Sequence, residues 1–234
     1  MISFQKVTRT FQLDSKTSIS PVKEVSLDID SGEFIIIIGR SGSGKTTLLN
    51  LAAGMVKPTS GQIIVDKTDL ADMSDRQLST MRNRRLGFVF QFPSLLSSLN
   101  VMENVTLPGI FTDKMDENAV KARGFELLKT MNLADKVGVY PRQLSAGEQK
   151  RVVLARSMIN SPQVILADEP TSDLDEQTEM EVMKLLRGIN ESGVTFLMVT
   201  HSLQLVPYAS RAFNMENGSL TEVNGTRGKP AVRC

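Results

Sequence analysis

Three stretches of the chain are apolar on consecutive residues: "FIIII" at residues 34–38, "VILA" at 164–167 and "TFLMV" at 195–199. A strand with one face in water alternates apolar and polar residues, whereas a strand covered on both faces is apolar throughout. These stretches therefore predict strands of a parallel sheet with helices on both faces. Longer stretches with helical spacing separate them, and this alternation indicates an α/β fold.

Shorter β-branched runs predict five further strands: "ISFQKV" (2–7), "KEVSLDI" (23–29), "QIIVD" (62–66), "LGFVF" (86–90) and "RAFNM" (211–215). The middle of the chain, roughly residues 68–140, is richer in helix formers and is broken by Pro93, Pro108 and Gly109. We expect a mostly helical sub-domain there, inserted into the sheet domain. Residues 224–234 have the composition of a loose tail.

A glycine-rich segment, "GRSGSGKT" at residues 39–46, follows the first buried strand and opens a helical pattern. It matches G-x-x-x-x-G-K-[ST], in which glycines let backbone N–H groups turn towards a phosphate chain. The lysine of such a loop reaches the β- and γ-phosphates, and the next hydroxyl binds Mg²⁺. The alternative is a glycine-rich turn without a ligand. The candidate nucleotide-binding residues are Gly39, Arg40, Ser41, Gly42, Ser43, Gly44, Lys45, Thr46 and Thr47.

Two adjacent carboxylates end the second buried run, in "VILADEP" at residues 164–170. Parallel sheets bind ligands at the carboxyl ends of their strands. Asp168 is placed to join Thr46 as a ligand of Mg²⁺, as in other phosphate-loop enzymes. Glu169 points elsewhere and is suited to accept a proton from an attacking water. The alternative is a pair of solvated acids at a strand end, which the preceding phosphate loop disfavours.

Composition limits where and how this chain acts. It has 234 residues, a formal net charge of +1 and a single cysteine, Cys234. We therefore expect one domain, a reducing compartment and no nucleic-acid partner, because no global field attracts a polyanion. The longest apolar run, residues 34–38, is much shorter than the about 20 residues of a membrane-spanning helix. We expect any action at a membrane to pass through another polypeptide.

A third segment, "LSAGEQKR" at residues 144–151, resembles the L-S-G-G-Q signature of the nucleotide-binding subunits of ABC transporters. Ser145 and Gly147 match the signature, Ala146 is a small departure, and Glu148 places an acid where the family has an amide. The segment also fits a helix start in which Ser145 and Glu148 form a capping box, and both interpretations can hold together. The resemblance covers residues 2–222, with its motifs in the family's order.

The resemblance implies a P-loop NTPase core with a mostly parallel sheet flanked by helices, an antiparallel N-terminal β portion and an inserted helical sub-domain. It implies a single ABC ATPase domain over residues 1–223, with the helical sub-domain at about residues 92–160. It further implies that two copies pair head to tail around two ATP molecules. Each ATP then lies between the phosphate loop of one copy and the signature residues of the other: Ser145, Ala146, Gly147 and Glu148.

The same resemblance assigns roles to individual residues. Phe11 matches the aromatic residue that stacks on adenine, and Gln91 matches the glutamine that contacts Mg²⁺ and the attacking water. His201, the only histidine, matches the residue that binds the γ-phosphate, and Glu169 is the better candidate for the base. The alternatives are a packed phenylalanine at a strand end and a purely structural histidine.

Residues 86–108, "LGFVFQFPSLLSSLNVMENVTLP", are similar to the subgroup that serves lipoprotein release and macrolide export. This similarity implies a peripheral subunit at the cytoplasmic face of the inner membrane that drives a separate permease with transmembrane helices. A periplasmic or extracytoplasmic accessory protein is a further expected partner. Because importer cassettes are similar over this segment, an importer subunit remains the alternative.

Two other function classes fit less well. A soluble ABC ATPase of DNA repair carries a long coiled coil between phosphate loop and signature, but Lys45 and Ser145 are only 100 residues apart without extended heptads. Translation factors of this type carry two cassettes, whereas this chain has one. An inert scaffold is disfavoured because Lys45, Asp168, Glu169 and His201 are all present.

Overall fold

A computed structural model of the chain describes residues 1–14, 17–112 and 116–223. The expected loose tail, residues 224–234 with Cys234, lies outside these described residues. The strands are β1 Ile2–Gln12, β2 Ser18–Ile29, β3 Phe34–Ile38, β4 Ser60–Val65, β5 Thr68–Asp69, β6 Leu86–Val89, β7 Val164–Asp168, β8 Thr195–Thr200, β9 Arg211–Glu216 and β10 Ser219–Glu222. The α-helices are α1 Lys45–Ala52, α2 Asp75–Arg85, α3 Val101–Ile110, α4 Glu117–Thr130, α5 Ala146–Met158 and α6 Glu176–Glu191.

The larger sheet has six strands in the order β10-β9-β3-β8-β7-β6. Five run parallel, and β10 lies antiparallel to β9 at one edge. The three runs that are apolar throughout form the adjacent strands β3, β8 and β7, which confirms the predicted parallel sheet. Alternate residues of β3 belong to apolar clusters on opposite faces, with Ile36 in one and Ile37 in the other. Helices therefore cover both sides of these strands.

The smaller sheet is antiparallel, in the order β2-β1-β4-β5, and it is the antiparallel N-terminal portion that the resemblance implied. Register shifts interrupt the pairing of β1 with β2, and Lys6 and Glu24 at these shifts have φ values of 49° and 48°. Such irregularities bend a strand. Val7 and Val22 of this sheet share an apolar cluster with Leu48 of α1, so the smaller sheet lies beside the phosphate loop.

Helix α3 packs against both α4 and α5. Strand β6, although it lies within the expected helical middle, belongs to the larger sheet, so this group of helices begins only after it. The boundaries of a separate sub-domain at about residues 92–160 stay a prediction. The shared core of these helices consists of Val101, Val105, Val120, Leu128, Val152 and Val153.

Pro108 and Gly109 do not break the helical region, contrary to the sequence-based expectation, because α3 continues through both to Ile110. Pro108 has no N–H to donate to the Asn104 carbonyl, and its ring crowds that carbonyl. Packing of α3 against α4 and α5 offsets this cost. A Cβ atom on Gly109 would lie 2.8 Å from Cγ1 of Val120. The glycine therefore lets α3 and α4 approach closely. Within the three described ranges, no helix combines the length and apolar character that crossing a membrane requires.

Candidate active site

The segment between β3 and α1 has the conformation that the phosphate-loop motif requires. Gly42 and Gly44 have φ values of 78° and 108°, in the region that residues with a Cβ atom rarely adopt. A Cβ atom on Gly44 would lie 1.9 Å from the carbonyl oxygen of Pro21 in β2. Gly44 is therefore required both by its backbone angles and by the close approach of the smaller sheet.

Helix α1 differs from the other helices at its N-terminus. The N-termini of α2 to α6 each have a side-chain cap, whereas α1, in the part of the chain described, has none and carries no acidic residue in its first turn. The first N–H groups of a helix have no partners within the helix, and its dipole favours an anion there. The start of α1 is therefore open to a phosphate group.

Lys45, the first residue of α1, is 7% exposed. Its ammonium donates to the carbonyl oxygens of Gly39 at 2.8 Å and Arg40 at 3.0 Å. The loop therefore folds around its own lysine and keeps the positive charge beside the backbone that would surround a phosphate.

Two oxygen groups from distant parts of the chain meet at the loop. The hydroxyl of Thr46 donates to Oδ2 of Asp168 at 2.8 Å. Burial raises the pKa of Asp168, the hydrogen bond from Thr46 and the charge of Lys45 lower it, and the charge of Glu169 raises it. A carboxylate and a hydroxyl are hard oxygen ligands of the kind that Mg²⁺ prefers. No group of three His, Cys, Asp or Glu side chains suited to a metal occurs within the described ranges, so the remaining ligands would come from phosphate and water.

Glu169 directly follows β7 and adopts a φ of 46°, which is uncommon for a residue with a side chain. Its N–H donates to the carbonyl oxygen of Val199 at 2.9 Å. Its Oε2 atom accepts hydrogen bonds from the Thr200 hydroxyl at 3.1 Å and the His201 backbone at 3.3 Å, and lies 2.9 Å from Nδ1 of His201. The turn thus directs Glu169 towards the end of β8 and away from Asp168.

His201 itself remains accessible, with 69% of its side chain exposed against 11% for Glu169. The carboxylate is therefore held in place by buried or backbone groups, while the imidazole faces the open cleft. Thr200 was not among the residues predicted from the sequence, although a polar residue at the end of an apolar strand beside a candidate histidine is a usable signal.

Gln91 lies two residues after β6 and is exposed. Its backbone carbonyl accepts a hydrogen bond of 2.5 Å from the ammonium of Lys150 in α5. Burial lowers the pKa of Lys150, and the charges of Asp173 and Glu169 oppose this shift. No sequence signal indicated this contact, because 59 residues separate the two groups.

A cavity of about 610 Å³ brings most of the predicted residues together. It is lined by Pro21, Arg40, Ser41, Gly42, Gly44, Lys45, Thr46, Thr47, Gln91, Asp168, Glu169 and His201. A second cavity of about 620 Å³ shares Pro21 and the start of the loop and also includes Ser43. The two cavities form one cleft along the phosphate loop. Gly39 lines neither cavity, and its carbonyl oxygen accepts the hydrogen bond from Lys45.

Phe11 lines neither of these cavities. It lies near the end of β1, where it pairs with Ile19 of β2. The guanidinium of Arg9 lies 4.3 Å from the centre of its ring, which is the geometry of a cation–π contact. An adenine on this ring would share it with the arginine.

The signature residues lie outside the cleft of their own subunit, at the start of α5. Ser145 accepts a hydrogen bond of 3.2 Å from the N–H of Glu148, and the Glu148 carboxylate accepts one of 2.8 Å from the N–H of Ser145. The backbone hydrogen bond from Ser145 lowers the pKa of Glu148. The capping box is therefore present, while Ala146 and Gly147 form the first turn.

Comparison with known proteins identifies the family to which this chain is similar. A family model described as "ABC transporter" matches residues 22–172. The lipoprotein-releasing system ATP-binding protein LolD of Buchnera aphidicola subsp. Schizaphis graminum is 40% identical over 206 residues, which cover 88% of this chain and 90% of that protein. The methionine import ATP-binding protein MetN of Histophilus somni is 41% identical over 207 residues, which cover 88% of this chain and 59% of that protein.

The chain is also similar to the ABC transporter ATP-binding protein MJ0796 of Methanocaldococcus jannaschii, at 38% identity over 97% of this chain and 98% of that protein. A dimeric structure of MJ0796 in a post-hydrolysis state, bound to ADP and Pi, matches this fold with a TM-score of 0.89 and 37% identity, covering 98% of this chain and 100% of that chain. The family model covers more than half of the chain, and these relatives cover most of it. The chain therefore belongs to the ABC transporter ATPase family.

Proposed function

We propose that this chain binds ATP with Mg²⁺, hydrolyses it as a head-to-tail dimer and drives a separate membrane permease. One observation carries the proposal: a single cavity contains the glycine loop, the buried Lys45, the Thr46–Asp168 pair and the oriented Glu169. These groups provide phosphate binding, metal ligation and proton acceptance side by side. Membership of the family supports the same activity.

The phosphate chain is bound by the open N-terminus of α1 and by Lys45, whose charge offsets that of the β- and γ-phosphates. Thr46 and Asp168, already in contact, hold Mg²⁺ together with Gln91. The ion supplies charge neutralisation of the phosphate oxygens when it is bound. Phe11, near the end of β1, stacks on the adenine base.

Glu169 accepts the proton of the attacking water. The donors from Thr200 and His201 fix its carboxylate, so little reorganisation is needed when the water loses its proton. His201, with its exposed ring, contacts the γ-phosphate. Glu169 therefore acts on the attacking water, and His201 acts on the γ-phosphate that this water attacks.

ATP turnover by three variants tests this assignment. Glu169→Gln keeps the shape of the side chain but removes the base, so we expect turnover to fall roughly 10²–10⁴-fold while ATP still binds. Lys45→Ala should abolish tight ATP binding in a fluorescent-nucleotide titration. The control is Glu126→Gln on the exposed face of α4, which should leave both properties unchanged. Parental turnover in Glu169→Gln would exclude Glu169 as the base.

The dimer is supported by the position of the signature. Ser145 caps α5 outside its own cleft, and the first turn of this helix presents further N–H groups to an anion. In the proposed dimer, residues 145–148 of one copy contact the ATP of the other. MJ0796, which is similar over 98% of this chain, forms a dimer bound to ADP and Pi. In this arrangement, hydrolysis opens the contact.

Exposed aromatic side chains support a permease partner. Phe92 is 70% exposed and Phe111 is 74% exposed, and Phe111 lines a cleft of about 460 Å³ beside α2 and α3. Leu107 and Pro108 line the same cleft opposite polar residues of α2, and a groove with such an apolar side accepts the apolar face of a partner's short helix. The chain would work as a peripheral subunit at the cytoplasmic face of the membrane, with residues 92–160 as the sub-domain that meets the permease.

Similarity to LolD, a lipoprotein-releasing system ATP-binding protein, favours an export-type system. We propose lipoproteins, macrolides or peptides as its substrates and an extracytoplasmic protein as its accessory partner. Similarity to MetN supports the second candidate, an importer subunit. Purification from detergent-solubilised membranes distinguishes these from a non-transport ATPase, because a transporter subunit should retain its permease. Phe92→Ser and Phe111→Ser should lose that permease, whereas Phe125→Ser, an exposed aromatic change on α4, should retain it. Retention by all three variants would exclude Phe92 and Phe111 as contacts of the permease.

A further inference from the structure

Two side chains of helix α5 hold the loop after β6 through hydrogen bonds to the backbone of that loop. Besides the contact of Lys150 with the carbonyl of Gln91 at 2.5 Å, the Arg156 guanidinium donates to the carbonyls of Ser94 at 2.9 Å and Pro93 at 3.1 Å. Residues 90–100 contain neither helix nor strand. Two cations of one helix therefore provide fixed points for a segment that lacks regular hydrogen bonding.

Lys150 is the member of this pair that acts at Gln91. It is 4% exposed, and a buried ammonium that loses its acceptor carries a large desolvation cost. The backbone of Gln91 therefore cannot move away from α5 without breaking this contact. Gln91 also lines the cavity with Lys45 and Asp168.

The same helix begins at the signature. Lys150 is five residues from Ser145, which is about 7.5 Å along a rigid helix at 1.5 Å per residue. One end of this short segment contacts the ATP of the second copy in the proposed dimer, and the other end fixes Gln91 in its own subunit. A displacement of the helix start is therefore transmitted to the Gln91 backbone.

We propose that Lys150 is a positioning residue that ties Gln91 to the signature helix, so that docking of Ser145 on the twin's ATP sets the place of Gln91 in its own site. This inference rests on the proposed function. It assigns to Lys150 a role in catalysis without contact to nucleotide. The hydrogen bond to the Gln91 carbonyl carries this role, beside the charge interaction of Lys150 with Glu169.

Steady-state ATP turnover by Lys150→Met tests the proposal, since methionine keeps an unbranched stem and removes the donor. We expect kcat to fall about 10- to 100-fold, the range for one charge-assisted hydrogen bond, with nucleotide affinity within about twofold of the parent because the phosphate loop is untouched. Lys150→Gln retains an N–H donor and should lose less. Lys121→Met, the same change in an exposed ion pair on α4, should have no effect.

A double-variant cycle distinguishes positioning from general stability. Gln91→Ala removes the side chain but keeps the backbone carbonyl that Lys150 contacts. If Lys150 acts through Gln91, then Lys150→Met should cause no further loss of kcat in the Gln91→Ala background. Losses that multiply in the double variant, or a Lys150→Met protein within about twofold of the parental kcat, would overturn the proposal.

The proposed function and this inference fail in different ways. If the parent protein does not hydrolyse ATP, or Glu169→Gln has parental turnover, the proposed function fails before Lys150 is considered. If the parent is active and Glu169→Gln is not, the proposed function holds, and the Lys150 variants test the positioning role alone. Thermal unfolding of each variant, compared with the parent, identifies a variant that has lost its fold, and Lys150→Gln then provides the test.

Discussion

Replacing Gly44 by alanine gives a prediction whose size follows from the backbone. At a φ of 108°, a residue with a Cβ atom carries a strain of about 1–3 kcal/mol. The new Cβ atom would also lie 1.9 Å from the carbonyl oxygen of Pro21, so the backbone of the loop or of β2 must shift. Overpacking of this kind costs a further 1–3 kcal/mol, roughly.

Gly42 provides the matched control. Its φ of 78° has the same sign, but a Cβ atom there has no heavy atom within 4 Å. Alanine at Gly42 therefore has the backbone strain but not the clash. Alanine also lowers the conformational entropy of the unfolded chain, and this stabilises the folded protein by about 0.4–1 kcal/mol and partly offsets the strain. We expect Gly42→Ala to lower the free energy of unfolding by about 1 kcal/mol and Gly44→Ala by about 2–4 kcal/mol.

Thermal unfolding of the nucleotide-free proteins measures this difference. For a chain of this length, 1 kcal/mol shifts Tm by about 2–4 °C. Gly44→Ala should therefore melt about 4–16 °C below the parent, and well below Gly42→Ala. Equal melting temperatures for the two variants would refute the reasoning, because they would show that contact between the loop and β2 does not constrain Gly44.

Three further changes have defined outcomes. Burial raises the pKa of Asp168 above its ordinary 3.8. The folded protein therefore binds the proton of this carboxyl group more tightly than the unfolded chain does, and ionisation of Asp168 at higher pH destabilises the fold. Asp168→Asn should therefore raise Tm at pH 7, with an advantage that shrinks as the pH falls through the raised pKa, and should abolish turnover. Gly188→Ala, on the exposed face of α6 with open space around the new Cβ atom, should stabilise by about 0.5–1 kcal/mol in urea unfolding. Thr200→Val removes a donor to Glu169 and should lower kcat about tenfold; a parental kcat would contradict its orienting role.

Features that depend on residues close together in the sequence could be predicted from the sequence alone. Fully apolar runs indicated β3, β7 and β8 because burial on both faces leaves no place for polar residues. The phosphate loop was recognisable because glycine adopts positive φ angles such as those of Gly42 and Gly44 far more readily than other residues do. The capping box at Ser145 was predictable because it joins residues three apart.

Contacts that depend on the tertiary arrangement could not be predicted in this way. Strand β10 is short and half exposed, so its apolar signal is weak. The continuation of α3 through Pro108 depends on packing against α4 and α5, which overrides local propensity. The bond from Lys150 to Gln91 depends on how α5 lies beside the loop after β6, and no spacing in the sequence indicates it.

The central claim is that the Ser145 helix of one copy closes over the phosphate loop of another when ATP is bound. Cysteines at Ser41 and Ser145 test it in a Glu169→Gln protein whose natural Cys234 is changed to serine. A disulfide requires Cα atoms within about 7 Å, so we expect a cross-linked species of twice the 25.8 kDa chain mass with ATP and very little without it. No such species with ATP bound, or equal amounts with and without ATP, would contradict the account.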